Sequence, residues 1–272
     1  MLKRFIGLSG IVFILFAFSG CEKVIEIDLA DSKEAIVIEA IINNNQLPIT
    51  VRVSKTTPYF GTKTSNPVSG AKVSARSENG KTKYLVETAP GIYELEKTIA
   101  LPGFWYYINV EYDSITYSAR SFLNEPVQIE EVGFSYFDGF GVFDSGYKVN
   151  TYITDPGNIE NYYRLKYYVN GKPVSDPGGI SIYSDHLFNG NPIGFGQQSI
   201  VFQETDTVTI ELQSIDKAAY DYFSTLENIS GDIPQSASPA NPISNFNNGA
   251  LGYFSAYTFD SKTVIIEDYI KK

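Results

Sequence analysis

The chain has 272 residues, a net charge of −10 at neutral pH, one cysteine and one histidine. So acidic a chain repels a phosphate backbone, which excludes nucleic acid as a partner. One His and one Cys are too few for an ordinary zinc site, and a lone thiol closes no disulfide within the chain, so a folded core has to hold the protein together.

The first residues carry the most specific pattern. Lys3-Arg4 precede an apolar stretch over 5–18, followed by Ser19-Gly20-Cys21. A basic start, an apolar core of about 7–15 residues and small residues at the cut define an export signal. The stretch is shorter than the roughly 20 residues of a spanning helix. Phe18-Ser19-Gly20-Cys21 resembles the lipobox of bacterial lipoproteins, with Phe18 where Leu is usual. We read 1–20 as a signal peptide and Cys21 as the lipidated residue, against the alternative of an uncleaved anchor. The lipid is then the only expected covalent group, with no cofactor and no metal. Loss of Lys3 and Arg4 takes the charge from −10 to −12. Anionic lipid offers such a body no attraction, so two or more acyl chains have to do the anchoring. Residues 21–33 form a tether leading into the first strand.

Residues 34–125 read as a β-sandwich. The run 36–42 is strongly apolar, and 49–54 alternates with Ile49, Val51 and Val53 inward. Short strands then follow at 67–73, 83–86, 91–95, 102–110 and 115–121, separated by turn residues. The phrases Pro67-Val68-Ser69-Gly70-Ala71-Lys72-Val73 and Pro102-Gly103-Phe104-Trp105-Tyr106 resemble immunoglobulin-like and transthyretin-like modules. Asn124-Glu125-Pro126 marks a boundary.

Residues 127–272 read as a larger β-rich domain bearing one helix. Strands are expected at 147–153, 162–169 and 207–213, with Asn170-Gly171 as a hairpin turn and Val208, Ile210 and Leu212 inward. The helix spans about 216–228, capped by Asp216, with Ala219, Tyr222, Phe223 and Leu226 on one face. A proline-, serine- and asparagine-rich loop over 231–249 follows, of a length that is often functional. Two strands, 251–258 and 263–267, close the chain. The fold class is thus mainly β, and the short strands, helix and loop argue against a membrane barrel.

Three phrases carry a family resemblance. They are Cys21-Glu22-Lys23-Val24-Ile25-Glu26-Ile27-Asp28-Leu29, Asp185-His186-Leu187-Phe188-Asn189-Gly190, and Asn241-Pro242 with Asn248-Gly249-Ala250-Leu251-Gly252-Tyr253-Phe254-Ser255-Ala256-Tyr257. Together they resemble the Bacteroidetes lipoproteins of domain-of-unknown-function family 4249, over 21–267. The resemblance implies an outer-membrane lipoprotein, encoded beside a TonB-dependent receptor and serving it in nutrient uptake. It implies no activity, so no catalytic residue is carried over. Glu22-Lys23 with Glu26 and Asp28 partly matches the segment that directs such lipoproteins to the cell surface. A structural or adhesive surface lipoprotein stands as the alternative, and a hydrolase as a remote one.

No chemistry is marked by motif. His186 lies in Ser184-Asp185-His186, but a nucleophilic site needs three groups meeting in space, and the mature chain has no Gly-x-Ser-x-Gly elbow. The plain alternative is an exposed loop histidine. Asp138, Asp144, Asp155 and Glu160 match no calcium-loop spacing. Glu130 and Glu131 point to opposite faces of a strand and cannot form a glycosidase pair.

Binding is better supported. Alternation over 105–112 turns Trp105, Tyr107, Asn109 and Glu111 away from the core, suiting sugars or a protein partner unless another layer covers them. Tyr162, Arg164, Lys166 and Tyr168 form a second outward set, suiting an anionic ligand or an acidic receptor loop unless they are an ordinary solvated face. Asn241 and Phe246 in the long loop form a third. The ligand class stays open between small molecule, glycan and peptide.

Overall fold

The computed structural model describes residues 34–45, 48–57, 66–96, 99–141, 144–157, 159–174, 180–197, 200–230 and 241–270. The signal peptide, Cys21, the tether and 231–240 of the expected loop lie outside the described residues.

The first half runs through β1 (Ile36–Asn43), β2 (Ile49–Lys55), β3 (Asn66–Pro67), β4 (Lys72–Ser77), β5 (Lys83–Tyr84), β6 (Val86–Ala89), β7 (Ile92–Leu95), β8 (Phe104–Tyr112) and β9 (Ile115–Leu123). The second runs through β10 (Glu131–Phe137), β11 (Gly146–Thr154), β12 (Tyr162–Val169), β13 (Lys172–Pro173), β14 (Ile182–Ser184), β15 (Pro192–Gly196) and β16 (Thr207–Ile215). Helix α1 (Lys217–Ser230), β17 (Leu251–Ile265) and the short α2 (Ile266–Ile270) complete it. The fold is mainly β, as composition and alternation require. Ile49, Val51 and Val53 are buried on β2, and Val208, Ile210 and Leu212 on β16. Asn170 and Gly171 both take positive φ, so the two-residue turn follows the twist of its strands.

One long sheet forms the common layer, in the order β13-β12-β16-β17-β1-β2-β7-β6. The four-stranded sheet β5-β4-β8-β9 packs over one half of it, and the three-stranded sheet β10-β11-β15 over the other. The first core joins Ile38, Ala40 and Val51 to Ile108 and Val110. The second joins Tyr163, Leu165 and Ile210 to Val149 and Ile153.

The hinge between these halves is β17. It pairs in parallel with β1 from Leu251 to Tyr257, then antiparallel with β16 from Thr258 to Ile265. Two strands were expected here, because 259–262 breaks the apolar run. The polar residues serve as anchors instead of a turn. Asp260 Oδ2 accepts from Ile129 N–H at 2.8 Å, and Lys262 Nζ donates to the Glu130 carbonyl at 2.5 Å, so both tie down the segment that links the halves. Gly252 lets β17 approach β1: its φ is +90°, and a Cβ there would lie 2.1 Å from the Ile38 carbonyl oxygen. The chain crosses between halves at Asn124-Glu125-Pro126, yet Phe246, Ala250, Phe254 and Ala256 return to the first core.

The helix packs on the other face of the long sheet, and its start is held from two sides. Asp216 Oδ1 accepts from Ala219 N–H at 3.0 Å as an N-cap, and Oδ2 accepts from Phe122 N–H of β9 at 3.1 Å. Burial pushes the Asp216 carboxyl above the usual range, against those hydrogen bonds. Ala219, Tyr222 and Phe223 are buried against Ile215, with Tyr253 and Tyr257 packed beside them. Among the described residues, no helix is long and apolar enough to cross a membrane.

Candidate functional site

The clearest concave polar surface lies on the helix side of the long sheet, where β2, β1 and β17 run side by side. Strand register sets its layout. Arg52 lies opposite Glu39 and Glu39 opposite Tyr253 in one row, with Thr50, Ile41 and Ser255 in the next. Asn43 lies opposite Tyr257 in the last row. Because side chains alternate across a strand, all of these point to one face. All but the buried Ser255 line a groove of about 380 Å3, with Pro48 at its edge.

Its two aromatic walls are held from behind. Tyr253 packs on Tyr222 and Phe223, with ring centroids 4.7 and 4.9 Å away. Burial raises the Tyr253 hydroxyl above its ordinary value, opposed by the charge of Arg164. Burial also pushes Tyr257 up to about 12, with Glu211 adding to the rise. Both hydroxyls therefore stay protonated near neutral pH and can donate as well as accept. Between them, Ser255 Oγ is buried without a hydrogen-bond partner among the described residues. Glu39 and Arg52 face each other in register, but the ion pairs of the described residues are Lys55–Glu34, Lys72–Glu111 and Lys217–Asp221. Their charges are left available. The groove thus presents hydroxyls, an amide, one carboxylate and one guanidinium over the apolar floor of Ile41, a mixture suited to a small polar ligand.

The set Tyr162, Arg164, Lys166 and Tyr168 adjoins this groove, but not as an open cationic strip. Arg164 lies over the Phe223 ring at 4.0 Å beneath α1, and Tyr162 packs on Tyr220 at 4.9 Å. Lys166 stands opposite Glu211, which also accepts from Tyr168 Oη at 3.3 Å and from Gln213 Nε2 at 2.6 Å. The helix covers the Arg164 end of the anion site expected there. Arg164 acts instead behind the tyrosine walls.

The outer face of β8 behaves differently. Trp105 and Tyr107 are half-buried on it, and Tyr106, Ile108 and Val110 point inward. Neither ring presents a bare face to a sugar. The Arg76 guanidinium lies over Tyr107 at 3.8 Å, the Arg120 guanidinium over Trp105 at 4.5 Å, and Phe122 meets Trp105 edge-on. Arginines from the flanking strands β4 and β9 provide the cover, not another sheet.

The remaining candidates are architectural. His186 is exposed on the short turn Asp185–Leu187, while its neighbour Asp185 is buried and accepts from Asn161 N–H at 2.8 Å. Asp155 accepts from the Tyr163 hydroxyl and from Gly190 N–H, so Asp185 and Asn189-Gly190 serve to fasten this loop. Among the described residues no three potential ligands gather for a metal. Asn241 is exposed, whereas Phe246 is 6% exposed and fills the first core, so it is no ligand surface. The asparagines that follow take the place of strand partners. Asn245 bonds both N–H and C=O of Phe254, Asn247 accepts from Ser118 N–H, and Asn248 donates to the Thr116 carbonyl.

Sequence reasoning missed Glu39, Asn43, Arg52, Tyr253 and Tyr257. Only Tyr253 and Tyr257, two same-face positions inside a family phrase, carried any signal. The rest depend on the parallel pairing of strands more than 200 residues apart in the chain.

No curated protein matches the chain. Among solved structures, the chicken interferon gamma receptor alpha chain is 10% identical, with 67% of this chain and 89% of that one covered and a TM-score of 0.21. CBD12 from CALX1.2 is 9% identical, with 84% and 100% covered and a TM-score of 0.20. Neither likeness carries an argument at those scores. A family model described as "Domain of unknown function (DUF4249)" matches residues 22–263, so the chain belongs to that family.

Proposed function

We propose that this protein is a lipid-anchored outer-membrane lipoprotein that faces the cell surface and serves a TonB-dependent uptake receptor without doing chemistry of its own. Its part is to hold a small polar ligand in the groove between Arg52 and Tyr257 or to cap the receptor. The carrying observation is Cys21 behind a basic and apolar leader, with the family match starting at the next residue. A folded body hung from a lipid stays at a membrane without crossing it. The groove supports the binding role, since it combines protonated tyrosines with two charges that join no ion pair among the described residues. The one carboxylate lining it, Glu39, offers no pair for glycoside hydrolysis.

The test is purification from detergent-solubilised membranes. The native chain should bring down an outer-membrane receptor, and Cys21→Ala should move the protein to the soluble fraction. Recovery of the lipidated protein with no receptor would favour a structural or adhesive surface role instead.

A further inference from the structure

The first sandwich carries a second cavity, separate from the groove, at the end where β2 starts and β7 stops. It measures about 340 Å3, within the range of roughly 300–1,000 Å3 typical of small-molecule sites. Ile49, Leu95, Phe104 and Tyr106 give it an apolar lining, and Arg76, Lys81 and Lys83 stand around it.

Two features argue that the space is built into the fold. The first is a strap over 99–101. The Tyr106 hydroxyl accepts from Leu101 N–H at 2.7 Å and donates to the Leu101 carbonyl at 3.1 Å. This clamp sets the alternation of the strap. Ala100 packs into the first core at 3% exposed, while Ile99 and Leu101, at 62% and 57% exposed, line the cavity. A slip of one residue would bury the two large side chains and strip that lining. The clamp thus holds two large apolar side chains over a space whose wall includes the buried Ala75.

The second feature is charge. Arg76, Lys81 and Lys83 take part in none of the ion pairs of the described residues, on a chain whose net charge is −10. Arg76 is held by stacking on Tyr107, which leaves Lys81 and Lys83 as the exposed cations of the rim. An apolar interior beneath a cationic rim complements a molecule with an apolar tail and an anionic head.

We propose that this cavity binds a single-chain amphiphile with a carboxylate or phosphate head. The chain lies against Ile49, Leu95 and Phe104, and the head sits between Lys81 and Lys83. Such a head comes either from a free amphiphile or from a membrane lipid. The proposal does not depend on the groove or on the receptor.

The test uses the chain from residue 22 onward, which contains every described residue. Titration with octanoate, decanoate and dodecanoate below their micelle concentrations should show affinity rising about fourfold per added methylene, then levelling once the cavity is full. Lys81→Glu with Lys83→Glu should weaken dodecanoate about tenfold and leave dodecanol unchanged. Ala75→Leu, which enlarges a lining side chain, should abolish binding while the protein stays folded. Flotation with phosphatidylglycerol vesicles distinguishes the sources. Flotation that Ala75→Leu abolishes assigns the head to a membrane lipid, and dodecanoate binding without flotation assigns it to a free amphiphile. Affinity that ignores chain length, or that survives Ala75→Leu, would overturn the proposal. So would vesicle binding that needs the lysines but not the cavity. If Ala75→Leu does not fold, the chain-length series on the unaltered protein decides.

Discussion

Two strands of this protein read almost alike and end in opposite situations. Strand β8 alternates Trp105, Tyr107 and Asn109 outward, and β12 alternates Tyr162, Arg164, Lys166 and Tyr168. Each sets aromatic and polar groups on the face away from its core. On β12 that face lies under α1, where Arg164 rests on Phe223 and its charge reaches Tyr253 and Tyr257. On β8 the rings are covered only by Arg76 and Arg120 from neighbouring strands. The same alternation therefore backs a polar groove in one place and makes a self-covered surface in the other. An outward pattern gives the direction of a side chain, and the next layer decides whether that side chain meets solvent, a helix or a ligand.

The sharpest way to break the comparison is to unhook β17, since its pairing with β1 joins the two halves of the long sheet. Gly252→Ala should destabilise the fold by about 3 kcal/mol or more, because the new methyl meets the Ile38 carbonyl and the backbone is left-handed there. Urea unfolding checks this, and a variant within about 0.5 kcal/mol of the parent would show that the sheet tolerates the contact. Next, Phe223→Ala should cost about 3–5 kcal/mol as a buried aromatic deletion. Tyr107→Ala on the open face should cost about 1 kcal/mol or less. Equal losses in the same unfolding assay would erase the difference between the two faces.

Asp216→Ala should cost about 1–3 kcal/mol, since it removes the cap of α1 and leaves Phe122 N–H without its acceptor. Loss of helical circular dichroism at lower urea than the loss of fluorescence from Trp105 would show the helix detaching first.

A smaller effect should appear in alkali. Burial raises Tyr222 and Tyr257 to about 12 from an ordinary 10.0. With the folded value the higher one, the folded state binds more protons between those limits. The stability these hydroxyls contribute is complete below about pH 10 and is lost as pH rises towards about 12. Spectrophotometric titration should show Tyr222→Phe and Tyr257→Phe each removing a late-ionising tyrosine. An unchanged late phase in both would place these rings in solvent.

Much of the architecture was legible. Period-two alternation located β2, β8, β12 and β16 and their inward faces, and the 3.6-residue pattern beside Asp216 located α1. Asn170-Gly171 turned where its positive-φ tolerance allows. Where reading failed, a polar residue had a distant partner. Asp260 and Lys262 looked like a break in β17 because their acceptor and donor, Glu130 and Ile129, lie some 130 residues earlier. Phe246 looked like a loop aromatic because the core it fills belongs to the other half of the chain. The phrases around Asp185 and Asn248 drew attention as signatures, and in the structure they fasten loops.

By itself, then, the sequence determined the basic and apolar pattern ending at Cys21, the mainly β composition, the inward faces of β2, β8, β12 and β16 and the cap of the helix. Each of these is set by residues a few positions apart, through periodicity, side-chain size and backbone freedom. Tertiary structure alone decided that β1 and β17 would lie side by side, that α1 would cover Arg164, and that Leu101 would line the cavity while Ala100 packs into the core. Those outcomes hang on hydrogen bonds and packing between segments far apart in the chain, and local pattern carries no information about which distant segment arrives.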